Sequence, residues 1–284
     1  MNEVIKHVSD TSFWVAHYRT LESERGDAIF KDPYAKILVG DRASQIDTLK
    51  SQTTRWTRFT VVMRTYIIDQ MIQELIAKGV TTFINIGAGL DSRPYRMNLG
   101  PHIQWIEVDF SHVIDHKVKA LKDFTPTCKL ESISLDLSNR KLRFELFAEL
   151  AEKYSNIAVL TEGVLPYLTE EQVSELSEDL LNLKSFKYWI GEYFSEKTYT
   201  YLRDPKRMKV LQNAPFQFFP TQWKNFFESR GWRLNQAIYF ADVAEKLGRP
   251  TPTPKFFKVL AWVMGKKWAE PLKRMSGFLL WERN

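Results

Sequence analysis

The chain has 284 residues, 44% of them hydrophobic and 26% charged, with 12 Gly and 12 Pro. This is the composition of a globular protein and excludes disordered, collagen-like and low-complexity classes. Cys128 is the one cysteine, so no internal disulfide forms, which fits a reducing compartment. No apolar run approaches the ~18 residues needed to span a bilayer. The opening MNEVIKHVSD lacks the apolar stretch of a leader, so a cytoplasmic location without membrane insertion is expected. The net charge of +6 is local: residues 246–284 hold nine Lys or Arg against two Glu, while the other 245 residues hold 31 basic and 32 acidic groups. A general nucleic-acid footprint is therefore not expected.

Along the chain, the stretch before residue 80 reads as helical. Residues 63–77 form its clearest helix, with Met63, Ile67, Met71 and Leu75 four apart and Lys78-Gly79 as a stop. From there short apolar, β-branched runs alternate with longer amphipathic stretches. The runs predict strands at 82–86, 104–108, 130–135, 157–161 and 186–193, with helices at about 111–123, 140–154 and 169–183 between them. Thr169 followed by Glu170 and Glu171 marks a helix start. This alternation predicts parallel βαβ units in a doubly wound α/β sheet. The residues from 221 to 230 read as a helix closed by Gly231, with strands at 232–240 and 277–282 after it.

The most informative segment is FINIGAGLDSRPYR (83–96). A strand that runs into Gly87-Ala88-Gly89 puts exposed backbone at the carboxyl edge of the sheet, where ligands of open α/β folds bind. Asp109 closes the next predicted strand 20 residues after Gly89, where a carboxylate accepts hydrogen bonds from ribose hydroxyls. A dinucleotide fingerprint needs a third glycine to bring a helix N-terminus to the pyrophosphate, and Ser92 occupies that position. A nucleoside cofactor without a pyrophosphate, such as S-adenosyl-L-methionine, needs only the turn and the ribose acid. Five parallel strands followed by a helix and a final strand pair suit the same cofactor.

The blocks AHYRTLESERGDAIFKDPYAKIL (16–38), MRTYIIDQMI (63–72), NIGAGLDSRPYRM (85–97), WIEVDF (105–110), LDL (135–137) and LTEGVLPYL (160–168) resemble the leucine carboxyl methyltransferase family. Within it they are similar to the bacterial branch of polyketide carboxyl O-methyltransferases. The resemblance implies a class I, Rossmann-like methyltransferase domain with a seven-stranded, doubly wound sheet. It divides the chain into a helical cap (1–79), a cofactor-binding core (80–194), a lid insertion (195–220) and a C-terminal part (221–284) that carries a basic helical insertion. It also implies that Lys31 and Arg64 hold the methionyl carboxylate and that Gly87 and Gly89 border the methionyl group. Asp109 would hold the ribose, Asp136 and Leu137 the adenine, and Glu162 the amino end.

Methyl transfer to a carboxylate needs alignment rather than a general base, together with a cationic or hydrogen-bonding clamp and exclusion of water. Arg93, Arg96, Tyr167, Tyr193 and Arg203 are candidate clamps, and Tyr167, inside the EGVLPYL block, is preferred for substrate positioning. The expected acceptor is a small-molecule carboxylate of polyketide type. Alternatives are the C-terminal leucine carboxylate of a protein, a nicotinamide-dependent oxidoreductase, and a non-enzymatic module that binds anions through its basic segment. His112 and His116 have metal-binding spacing, but no third ligand accompanies them and no metal is expected. Cys128 reads as a small core residue. The aromatic, basic stretch 254–275 reads as a packed helical insertion, and the aromatic stretch 195–220 as a cover over the acceptor pocket.

Overall fold

The computed structural model describes residues 8–47, 52–205, 208, 213–252, 270, 271 and 273–284. Most of the basic stretch 254–275 and part of the stretch 195–220 lie outside the described residues.

The N-terminal part forms helices α1 (Thr11–Ser23), α2 (Pro33–Val39), α3 (Ala43–Asp47) and α4 (Gln52–Ala77). Asp32 starts α2 by accepting a hydrogen bond from the Ala35 amide, with Pro33 in the first turn. Met63, Ile67, Met71 and Leu75 are all buried along one side of α4. The alternating part then follows in order: β1 (Thr82–Ile86), α5 (Arg93–Arg96), β2 (Gln104–Asp109), α6 (Ser111–Ala120), β3 (Lys129–Ser134), α7 (Arg140–Lys153), β4 (Ile157–Thr161), α8 (Glu170–Leu181) and β5 (Phe186–Phe194). Helix α8 opens with a full capping box: Thr169 Oγ1 accepts from the Gln172 amide, and Gln172 Oε1 accepts from the Thr169 amide. The described chain ends through α9 (Glu196–Leu202), α10 (Trp223–Glu228), β6 (Trp232–Tyr239), α11 (Phe240–Lys246) and β7 (Ser276–Arg283).

The strands form one seven-stranded sheet in the order β3-β2-β1-β4-β5-β7-β6. The first five are parallel, and β7 runs antiparallel between β5 and β6. Side-chain alternation gives each face its own core. Ile84, Ile86, Ile157 and Val159 pack on one face with Phe147 of α7 and Leu176 of α8. Phe83, Ala158 and Leu160 pack on the other with Ile67 and Met71 of α4. Helices on both faces leave the carboxyl ends of β1, β2, β4 and β5 at one edge, where this topology places its ligand crevice.

Candidate active site

A cavity of about 1460 Å³ opens at that edge. On the β1 side it is walled by Gly87, Ala88 and Gly89. Both glycines hold positive φ, +66° and +52°, conformations that L side chains rarely adopt. A Cβ on Gly87 would stand 2.6 Å from Val164 Cγ2, and one on Gly89 would stand 3.0 Å from Ser12 Cβ. The backbone is thus held against the loop after β4 and against α1, with no room for a side chain.

Asp109 ends β2 and turns back onto this glycine turn. Its Oδ2 accepts from the Gly89 amide at 2.6 Å and its Oδ1 from the Phe110 amide at 2.7 Å. A carboxylate offers about four acceptor positions, so two remain for a ligand. Burial raises the Asp109 pKa, and the two amide bonds oppose that shift. Asp136 and Leu137 follow β3 on the same wall. Asp136 Oδ1 accepts from the Ser138 amide and hydroxyl at 2.9 and 2.7 Å, which fixes the carboxylate at the rim.

Glu162 follows β4. Arg93 Nη1 is 2.7 Å from its Oε2, and Arg64 Nε, from α4, is 2.9 Å from its Oε1. The Arg64 contact lacks hydrogen-bond alignment, so Arg64 Nε and Glu162 Oε1 are both buried without a hydrogen-bond partner among the described residues. Burial opposes ionisation of Glu162, but the Arg93 and Arg64 guanidinium groups hold its carboxyl below the usual range.

Behind this wall, buried ion pairs tie the helices to the sheet. Arg93 reaches Asp69 of α4 at 2.7 Å and Asp91 at 2.9 Å, and Arg96 also pairs with Asp69 at 2.7 Å. Arg19 of α1 bonds Asp32 at 2.8 Å, and Asp32 accepts from the Ser92 hydroxyl at 2.7 Å. Against the burial penalty, Arg93, Lys117 and Arg19 depress the Asp91 pKa, and Arg19 and Arg96 depress that of Asp32.

Of the residues singled out in the sequence, Arg64, Gly87, Gly89, Asp109, Asp136, Leu137, Glu162 and Tyr167 all line the one cavity. Lys31 does not join them. It is exposed, and its Nζ donates to the Ser23 and Arg25 carbonyls at 2.6 and 3.0 Å. The expected Lys31–Arg64 pair is therefore not assembled. Arg93 is buried, the Arg96 side chain is nearly so, and both are ion-pair partners rather than groups on the cavity wall. Arg203 packs over the Phe219 ring at 4.2 Å, and Tyr193 packs against Trp223 and Tyr239, all off the wall. His112 contacts the Ser9 hydroxyl and His116 the Leu38 carbonyl. The burial of Cys128 pushes its thiol up to about 12. Arg19 and Glu192 are among the wall residues that escaped the sequence reading. Arg19 pairs with a residue 13 positions away, and Glu192 is a single acid in the apolar strand FKYWIGEYF. The wall also carries the aromatic residues Trp14, Trp56, Tyr167, Phe194, Tyr201 and Phe216. No helix among the described residues is long and apolar enough to cross a membrane.

This strand order, with its antiparallel seventh strand and its crevice at the ends of β1, β2 and β4, is the class I methyltransferase fold. A solved structure titled a "putative methyltransferase" from Thermobifida fusca superposes with a TM-score of 0.56 at 12% identity, covering 95% of this chain and 94% of that one. The leucine carboxyl methyltransferase family model matches residues 12–180, and the chain belongs to that family. Two relatives carry the description "Putative S-adenosyl-L-methionine-dependent methyltransferase". The one from Streptomyces avermitilis is 32% identical over 58% of this chain, and the match spans 62% of that relative's length. The one from Mycobacteroides abscessus is 28% identical, with the match covering 92% of each chain.

Proposed function

We propose that the protein is an S-adenosyl-L-methionine-dependent O-methyltransferase acting on a carboxylate of a small molecule. The observation that carries the cofactor part is the convergence, on one cavity, of the glycine turn, Asp109, Asp136-Leu137 and the Arg64–Glu162 pair. Two features fit the cofactor: a glycine turn with no space for side chains, and buried polar atoms at Arg64, Glu162 and Asn85 that lack hydrogen-bond partners among the described residues. When bound, the cofactor supplies an already activated methyl group on a sulfonium.

In this reading, Arg64 holds the cofactor's carboxylate by charge pairing and Glu162 holds its ammonium. Gly87 and Gly89 let backbone approach without a Cβ. Asp109 offers its two remaining acceptor positions to the ribose, Asp136 accepts from the adenine amine, and Leu137 covers the ring. Lys31 is left out, because its ammonium is already bonded to two carbonyls. The aromatic part of the wall, with Tyr167, excludes water and positions the acceptor. The large aromatic cavity supports an acceptor of small-molecule type.

Radiolabelled methyl transfer from the cofactor to a panel of aromatic and polyketide-like carboxylic acids tests the reading. Label that mild base releases as methanol supports an ester product. Base-stable label would assign the methyl to a hydroxyl, nitrogen or carbon acceptor instead.

A further inference from the structure

Glu192 has no part in the cofactor reading, yet it stands on the same wall. It lies near the end of β5, one step beyond the Thr161–Gly191 register pair that aligns β4 with β5, and so beside Glu162. Its Oε1 accepts hydrogen bonds from the Gly163 and Val164 amides, which fixes the side chain against the loop after β4. Its Oε2 is buried and has no hydrogen-bond partner among the described residues, in a residue that is 3% exposed. An unpaired buried carboxyl oxygen is costly, and the cost is removed when a ligand group meets it.

A carboxylate acceptor needs a clamp, and the described cations on the cavity wall are already committed. Arg19 pairs with Asp32, Arg64 with Glu162, Arg143 with Asp179 and Lys273 with Glu245. Resting on the carboxylate reading above, we propose that Glu192, in its neutral form, is the hydrogen-bond donor that receives the acceptor's carboxylate. A neutral acid facing an anion makes a short, charge-assisted O–H···O⁻ bond. An ionised Glu192 repels the same anion.

The groups around Glu192 favour the neutral form. From β7 its register partner is Phe278, which is apolar. From the loop after β4 comes Glu162, a like charge, and from α4 comes Arg64, which Glu162 already engages. Burial, opposed by the Gly163 and Val164 amide bonds and by Arg64, raises the Glu192 carboxyl to about 7. An incoming carboxylate raises it further. One acceptor oxygen takes the Glu192 hydrogen bond and the other keeps its lone pair for the methyl group. That oxygen forms the O–CH3 bond as the sulfonium's S–CH3 bond breaks, with the electron pair remaining on sulfur. The product is a neutral ester, so the proton stays on Glu192 and no base is required.

The test titrates 1-naphthoate, which is ionised throughout, into protein saturated with S-adenosylhomocysteine at about pH 6 and about pH 8.5. With a group titrating near 7, wild-type affinity should fall about 30-fold across that interval. Glu192→Gln keeps an acceptor for the two amides and an N–H donor for the ligand, so its affinity should hardly change with pH. Glu192→Leu should lose at least about tenfold at the lower pH, while the neutral 1-naphthalenemethanol binds all three proteins equally. S-adenosylhomocysteine binding reports that each variant is folded. The same pH dependence in Glu192→Gln as in wild type, or undiminished naphthoate binding by Glu192→Leu, overturns the assignment. Naphthoate that binds none of the proteins while S-adenosylhomocysteine still binds also overturns it and leaves the cofactor reading standing. Wild type that fails to bind S-adenosylhomocysteine overturns the cofactor reading itself.

Discussion

Arg93 Nη1 lies 2.7 Å from Glu162 Oε2, joining the first residue of α5 to the residue that follows β4. The same guanidinium reaches Asp69 of α4 and Asp91, so one fully buried cation holds three acids drawn from three parts of the fold. The candidate cofactor wall is in this way braced from behind by a residue that does not line it.

Arg93→Ala should therefore act on stability first. Removing the cation takes from Asp91 its ion-pair partner, while Asp69 keeps Arg96 and Glu162 keeps Arg64; a buried pair that loses one partner costs about 3–5 kcal/mol. Urea denaturation should show the loss. Arg64→Ala should be milder, because among the described residues Arg64 pairs only with Glu162, and Arg93 remains.

The acids of this network predict sensitivity to low pH. Asp32, Asp91 and Glu162 titrate below their ordinary values, held down by the arginines against the opposing effect of burial. In the window around their ordinary pKa of about 4 the unfolded chain binds more protons than the native one, so stability rises with pH there. Their contribution is full above that window and is lost as the pH falls through the depressed native values. Unfolding free energy measured between about pH 3 and 6 should show this slope, and Glu162→Gln should flatten it.

Glu192 has the opposite sign. Its native pKa is raised to about 7, so between the ordinary carboxylate range and 7 the native state binds the extra proton. Stability from this group is complete at acid pH and declines as the pH rises to about 7. Glu192→Gln should be more stable than wild type above that point, by at most about 3 kcal/mol, and nearly equal to it near pH 4. Thermal unfolding of both proteins across this range gives the comparison.

Gly87→Ala tests the close approach at the turn. The new methyl would meet Val164 Cγ2 at 2.6 Å in a backbone conformation that disfavours L side chains. Cofactor affinity should fall by at least tenfold, about 1.4 kcal/mol or more. Gly87→Ala combined with Val164→Ala should recover part of the affinity, because the contacted methyl is then absent.

Much of this architecture was legible in the sequence because its determinants are local. The run TFINI before a glycine turn marks β1 as Thr82–Ile86, and the short apolar run IAVLT marks β4 as Ile157–Thr161, with the predicted bounds in both cases. Thr169 and the residues after it place the start of α8 through backbone capping. The wall residues Gly87 and Asp109 were legible because each sits at a strand end, where topology brings distant segments together, whereas Asp136 and Glu162 were reached only through the family resemblance. Side-chain pairing was not legible. Nothing local distinguishes Arg93, which is buried among acids at positions 69, 91 and 162, from an arginine that faces a ligand. Lys31 reads as a site cation in its motif, but its long side chain ends on the carbonyls of residues 23 and 25. Glu192 has no sequence signal beyond an acid in an apolar strand, and its significance comes from the amides of Gly163 and Val164, nearly thirty residues earlier.

Isothermal titration of the purified protein with S-adenosyl-L-methionine, S-adenosylhomocysteine and NAD tests the central claim most directly. The cofactor reading predicts saturable binding of both adenosyl ligands and none of NAD. It also predicts that Asp109→Ala abolishes adenosyl binding in a protein that stays folded, and that Arg64→Ala weakens S-adenosyl-L-methionine more than adenosine, which has no carboxylate for it to hold. Binding of NAD with no adenosyl affinity, or unchanged affinity in Asp109→Ala, would contradict it.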